Sequence, residues 1–202
     1  MGDRPYRLLT IVAVALTAAF VGYAAYEKFV LETAPGDMPY HAGNRAFEGG
    51  NYERAIEHYS QALAQNPDHV HALRGLATGL HQAGRHEEAL AIYDDAITRT
   101  ATRPEDEAAR TALAANYANR GILLDTIGRH EEALADYTRA LEIDAEVAEG
   151  PHWLTRFLRK QAETPPTIAD RARYLRAELT KPEDQRVLRI PGLDAQQRPY
   201  KQ

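Results

Sequence analysis

Apolar positions follow two different rules along this chain. From Leu8 to Tyr26 they are continuous, a run of Leu, Ile, Val, Ala and Phe broken only by Thr10, Thr17 and Gly22 and holding no charge. Beyond residue 37 they recur three and four residues apart, as at Ala55, Tyr59 and Ala62 or at Leu73, Leu76, Ala77 and Leu80. That spacing draws one apolar stripe along a helix. The stripes are interrupted at Gly50, Gly84 and Gly128, so the pattern predicts short helices in succession. Alanine is abundant; it is the best helix former and the smallest side chain that still packs, which points to close helix pairs and almost no strand.

One phrase organises the succession. Gly84-Arg85-His86-Glu87-Glu88-Ala89-Leu90-Ala91 recurs letter for letter from Gly128 to Ala135, and a looser copy begins at Gly50. Tyr59, Tyr93 and Tyr137, then Ala62, Ala96 and Ala140, follow at fixed offsets, so each phrase opens a helix with the same apolar face. Aligning Ala55, Ala89 and Ala133 gives intervals of 34 and 44 residues, and the first is the period of a stacked helix-turn-helix unit. Gly43, Ala55, Tyr59, Ala62 and Pro67 stand at the small, small, aromatic, small and proline places of such a unit. The second unit supplies Leu73, Leu76, Ala77, Leu80, Ala89, Tyr93 and Ala96, the third Tyr117, Gly121, Leu124, Ala133, Tyr137 and Ala140. On these residues the chain resembles the tetratricopeptide-repeat family. The resemblance implies an all-α superhelix, or α-solenoid, of three helix-turn-helix repeats at 38–69, 70–101 and 102–147. Gly43, Ala77 and Gly121 would let the second helix of each pair approach the first. The tyrosines then fill the space between pairs and the phrase glycines act as left-handed turn residues. None of these is a binding position.

Ten residues separate the two intervals. Pro104, followed by Glu105, Asp106 and Glu107, marks a helix start, because proline fits a first turn and carboxylates suit the positive end of the helix dipole. Ala108, Ala109, Leu113 and Tyr117 then keep helical spacing to Ile127, which predicts an N-terminally extended first helix of about 23 residues in the third repeat. A ten-residue loop bulge is the alternative.

The continuous run at 8–26 measures roughly 28 Å as a helix, about one bilayer core. Arg4 and Arg7 on one side and Tyr23 and Tyr26 on the other suit a single-pass transmembrane anchor with residues 1–7 in the cytoplasm. A cleaved signal peptide is the competing reading, Gly22-Tyr23-Ala24 being a loose small-x-small site. Either way the repeats would face the periplasm, from an inner (cytoplasmic) membrane in the first case. Residues 27–37, with Pro35 and Gly36, read as a linker. At the other end 148–180 holds two capping helices: Pro151–Gln161, striped by Trp153, Leu154, Phe157 and Leu158, and Thr167–Leu179, striped by Ile168, Ala172, Leu175 and Leu179. Arg171, Arg173 and Arg176 are expected to face solvent. Residues 181–202 form an extended basic tail, free to lie along its own repeats or to bind a partner.

Charge sharpens this picture. Residues 151 to 202 carry eleven Lys/Arg against six Asp/Glu, and the whole chain has a net charge of -5, so residues 1 to 150 hold -10. Acidic repeats disfavour nucleic acid. The absence of cysteine excludes disulfides, thiolate metal sites and thiol nucleophiles.

In the family, first helices of successive pairs line the concave groove. Residues pointing away from the packing positions there are Tyr40, Asn44 and Phe47, then His71, Arg74, Thr78 and His81, then Asn119, Ile122 and Asp125; these form the candidate peptide-binding groove. Asn44 and Asn119 offer both donor and acceptor, suited to gripping an extended backbone of any sequence; solvated surface is their plainer reading. One subgroup of the family clamps the acidic C-termini of cytosolic heat-shock chaperones with lysines, an arginine and asparagines. Gly43-Asn44-Arg45 resembles the opening of that motif, but Tyr40 replaces a lysine, and Gly75, Ala115 and Asn119 occupy other clamp places. The basic half of the clamp is missing.

His69 and His71, two apart at a helix start, share no face and have no third ligand, so no metal is expected. No nucleophile, base and orienting group assemble, and no phosphate loop is present, so no catalytic residue and no cofactor is assigned. The reading is a non-catalytic, membrane-anchored adaptor or assembly factor for an envelope or membrane protein complex, binding protein partners. The alternative is a permanent subunit of a membrane complex, held through its transmembrane helix and basic tail.

Overall fold

The computed structural model of the chain describes residues 4–26, 34–102, 107–145 and 167–190. Eight α-helices lie within them: α1 Arg4–Tyr26, α2 Asp37–Glu48, α3 Tyr52–Gln65, α4 Val70–Gln82, α5 His86–Ala101, α6 Glu107–Thr126, α7 His130–Ile143 and α8 Ile168–Leu179, with a 3-10 turn at Glu183–Gln185. No strand occurs among the described residues. From α2 to α7 each helix packs on the next, α2 also touches α4 and α4 touches α6, and α8 packs on α7. The architecture is an all-α solenoid of three helix pairs.

The repeated phrase is a turn followed by a helix start. Gly50, Gly84 and Gly128 have φ of 74°, 80° and 86°, a left-handed conformation that glycine adopts without strain. Across each turn the next residue's N–H reaches back to the preceding helix: Asn51 to Ala46 O at 2.9 Å, Arg85 to Leu80 O at 2.9 Å, Arg129 to Leu124 O at 2.8 Å. This Schellman bond satisfies a carbonyl orphaned at the helix end. The second helices start differently. Asn51 caps α3 by accepting from Arg54 N at 3.2 Å, whereas Arg85 and Arg129 provide no side-chain cap. Their guanidinium groups instead grip the second glutamate of the phrase two-pronged, Arg85 on Glu88 at 2.8 and 2.7 Å and Arg129 on Glu132 at 2.6 and 2.5 Å.

Inside the pairs, Ala55, Ala89 and Ala133 are fully buried, and so are Tyr93 and Tyr137. The Tyr59 ring lies between Gly43 of its own pair and Gly75 of the next, where an added Cβ would sit 2.6 and 2.7 Å from it; at Gly121 an added Cβ would be 2.8 Å from Tyr137. A buried tyrosine needs a partner for its hydroxyl. Each finds one on the first helix of its pair: Tyr59 donates to Asn44 Oδ1 at 2.8 Å, Tyr93 shares a bond with Thr78 Oγ1 at 2.9 Å, and Tyr137 donates to Asp125 Oδ2 at 3.3 Å.

The longer second interval is taken up by helix. α6 has 20 residues against 13 in α4, and α5 has 16 against 14 in α3. The helix start read at Pro104 lies outside the described residues, as do residues 27–33 of the linker, the Pro151–Gln161 cap and residues 191–202 of the tail. α8 opens on a capping box, with Thr167 and Asp170 each bonding the other's backbone N–H at 3.1 to 3.2 Å. Its buried residues are Ile168, Arg171, Ala172, Leu175 and Glu178, while Leu179, expected on the stripe, is half-buried. The outward placement of Arg171 is therefore corrected, while Arg173 and Arg176 are exposed. The reason is charge: Arg171 meets the buried carboxylate of Asp125.

α1 is a continuous helix of 23 residues, and none of its described side chains belongs to the core. Among the described residues no helix is long and apolar enough to cross a membrane. The span read at 8–26 is thus not shown by the structure.

Candidate functional site

The wall made by α2, α4 and α6 brings the ten groove positions together, but not with equal access. At its N-terminal end Tyr40, Asn44, Phe47 and His71 are half-buried. Tyr40 sits at the centre of a ring cluster, 4.9 Å from His69, 5.3 Å from His41 and 6.2 Å from His71 between centroids. Asn44 spends its carbonyl on Tyr59, and its Nδ2 has no partner among the described residues. Phe47 meets Tyr52 edge-on at 5.3 Å. His71 Nδ1 lies 3.2 Å from Arg74 Nη2. Burial, then the guanidinium of Arg74 and the neighbouring His69, hold the His71 imidazole below its ordinary pKa, so it is neutral and accepts a hydrogen bond.

The middle of the wall is closed by its own packing. Arg74, Thr78 and His81 are buried. Thr78 Oγ1 donates to Arg74 O at 2.8 Å besides meeting Tyr93. His81 stacks edge-on with His86 at 5.7 Å, and the Nδ1 atoms of both are buried without a partner. Burial, then the nearby His86, lowers the His81 pKa to about 4.

At the C-terminal end Asn119, Ile122 and Asp125 are 1%, 3% and 3% exposed. Asp125 is committed to its own chain. Arg171 donates to it two-pronged, Nε to Oδ2 at 2.6 Å and Nη2 to Oδ1 at 2.9 Å, while His130 Nδ1 stands 2.8 Å from Oδ1. A bidentate arginine with two further partners offsets the cost of burying this carboxylate. A part that sequence reasoning missed lies beside it: Arg171, Tyr174 and Glu178 of α8 hold the following residues 187–188. The one legible signal was Arg171 three residues after Ile168, on the apolar stripe.

His69 uses both ring nitrogens within the fold. Its Nδ1 accepts from Ala72 N at 3.2 Å and its Nε2 pairs with Asp37 Oδ1 at 3.1 Å. No group of three metal-ligating side chains occurs among the described residues.

Models of the tetratricopeptide repeat match residues 40–104 and residues 114–147. Photosystem I assembly protein Ycf3 of Rippkaea orientalis (strain PCC 8801 / RF-1) is 36% identical over 86 residues, which cover 35% of this chain and 47% of that protein. The chain thus spans about half the length of the curated relative it matches. A solved structure, the first TPR of Spaghetti (RPAP3) bound to HSP90 peptide SRMEEVD, is 23% identical with a TM-score of 0.47, over 62% of this chain and 89% of that one. Tetratricopeptide repeats are protein-interaction modules. With paired helices, glycine turns and matching residues in all three units, the chain belongs to the tetratricopeptide-repeat family.

Proposed function

We propose that this chain is a non-catalytic, membrane-anchored assembly factor that holds an extended segment of a protein partner on the N-terminal half of the α2–α4–α6 wall. The observation that carries the reading is the half-buried set Tyr40, Asn44, Phe47 and His71, gathered on one face beside a closed middle. It combines aromatic surface, a free amide donor on Asn44 and the Nε2–H donor left to a neutral His71 whose Nδ1 already accepts from Arg74, which suits the carbonyls of an extended backbone beside an apolar side chain. Arg74 beside His71 adds positive charge. The likeness to a photosystem assembly protein supports assembly as the process. Replacing Tyr40→Leu and His71→Ser together is expected to weaken capture of the partner at least tenfold with the melting temperature nearly unchanged. Undiminished capture contradicts the groove reading.

The anchor belongs to the same proposal. Leu9, Ile11, Val14, Leu16, Phe20 and Val21 of α1 are exposed, and a helix apolar on every side needs an apolar surrounding. Thr17 Oγ1 donates to Ala13 O at 2.9 Å, so its hydroxyl is satisfied within the helix, as lipid requires. With Arg4 and Arg7 on the cytoplasmic side the repeats face the periplasm. The same exposed helix favours the second reading, a permanent subunit packed through α1 against other spans. Stoichiometric co-purification in detergent, lost when the apolar residues of α1 are replaced by leucine, separates that reading from a transient factor.

A further inference from the structure

The last described residues are held as a bound peptide is held. Val187 donates its N–H to Glu178 Oε2 at 2.9 Å, its carbonyl accepts from Tyr174 Oη at 2.6 Å, and the next carbonyl, of Leu188, accepts from Arg171 Nη2 at 2.8 Å. Three main-chain groups of two successive residues are thus gripped by side chains of α8. Two side chains add selectivity. Leu188 packs, partly buried, against the hydrophobic core. Arg189 donates to the carbonyl of Thr126, the last residue of α6, where the helix dipole favours a cation. Arg171 grips Asp125 at the same time, so the seat of this segment is built on a groove position. The segment enters with extended backbone at Arg186 and lies in neither helix nor strand. The α8 capping box and the Arg171–Asp125 pair are both complete without it.

We propose that Arg186–Ile190 is an intrachain ligand seated at the C-terminal end of the wall, and that the surface beneath it is a docking site for an extended apolar–basic peptide, which the chain's own segment occupies in cis. The site reads a peptide through its backbone by Glu178, Tyr174 and Arg171, takes a leucine in the seat of Leu188, and takes a cation at the end of α6. The inference extends the proposed groove function, because a partner reaching this end of the wall must displace the segment. A segment tethered by the short 180–185 connection competes at an effective concentration on the order of millimolar, so a free peptide of the same sequence is excluded until the tether's contacts are broken.

The probe is a fluorescein-labelled peptide copying residues 183–192, titrated by anisotropy against the full chain, against Leu188→Asp, and against Leu188→Ala with Arg189→Ala. Both variants are expected to bind it at least tenfold more tightly than the unaltered chain, and adding Glu178→Gln to either is expected to weaken that binding. Equal affinity for the unaltered chain and the variants overturns the proposal. So does absence of binding to both variants while the amides of α8 remain slow to exchange. Loss of α8 protection on releasing the segment also overturns it, since the seat would then depend on its occupant. Because the probe reports only this seat, it can succeed where a partner fails to bind Tyr40 and His71, so the two readings fail separately.

Discussion

One place recurs in every repeat, where the end of the first helix meets the start of the second, and each repeat fills it differently. Phe47 meets Tyr52 at 5.3 Å, His81 meets His86 at 5.7 Å, and Asp125 meets His130 at 2.8 Å. The histidine version is sensitive to acid. Unfolded, His81 titrates near 6.5; folded, burial and then His86 lower it to about 4. As pH falls the unfolded chain takes the proton first, so the stability is whole above about 6.5 and is lost on the way down to about 4. The loss is on the order of 3 kcal/mol. His81→Phe, which copies the first repeat, is expected to flatten that part of the urea midpoint's fall between pH 7 and pH 4.5; an unchanged slope contradicts the assignment. The glycines divide into two kinds. Gly43→Ala and Gly75→Ala press a methyl into the Tyr59 ring and should cost about 1–3 kcal/mol each. Gly84→Ala meets no atom within 4 Å but has a φ of 80°, so its cost of roughly 1–2 kcal/mol is backbone strain alone. Chemical denaturation separates the two, because trimming Tyr59→Leu relieves only the first kind. The turn glycines were legible from their place before a helical stripe, whereas Gly75 was not, since nothing in the one-dimensional pattern says that Tyr59 reaches the next repeat.

At the scale of elements, the helix pairs and their order follow from spacing alone, because an apolar stripe of helical period has one way to bury itself in a stack. The inward turn of Arg171 does not follow. An arginine on a helix is read as solvent-facing, and its reason for turning inward, Asp125, lies 46 residues earlier in the chain. This ion pair is what joins α8 to α6. Asp125→Ala leaves a buried guanidinium without its carboxylate and is expected to destabilise by about 3–5 kcal/mol, whereas Asp125→Leu with Arg171→Met should recover most of that. Equal losses in the two variants would show that the pair is not the joint. The cap of α8 makes a smaller contribution: Thr167→Ala should cost about 1 kcal/mol and speed amide exchange in α8 without touching α2 to α5. That the ten candidate residues lie on the first helices was legible as a register. Their unequal access was not, because Thr78 and Asp125 are drawn into bonds with tyrosine hydroxyls that no spacing reveals.

Across the whole molecule the two ends differ. At one, α1 presents apolar side chains on every side, and the anchor proposed there has its own test: Val12→Arg with Leu16→Arg adds about 2.5–3.5 kcal/mol per residue to insertion at a helix centre. That variant is expected to leave the membrane fraction in alkaline carbonate while the unaltered chain stays. At the other end α8 and residues 186–190 close the wall, so the proposed binding falls on its N-terminal half. The most direct test of that central claim is site-specific photocrosslinking of the full chain in native membranes. A photoreactive residue is placed in turn at Tyr40 and His71 on the first helices and at Glu57 and Glu87 on the exposed faces of the second. The account predicts one shared adduct from Tyr40 and His71 and none from Glu57 or Glu87; adducts from the second-helix positions, with none from the wall, would contradict it.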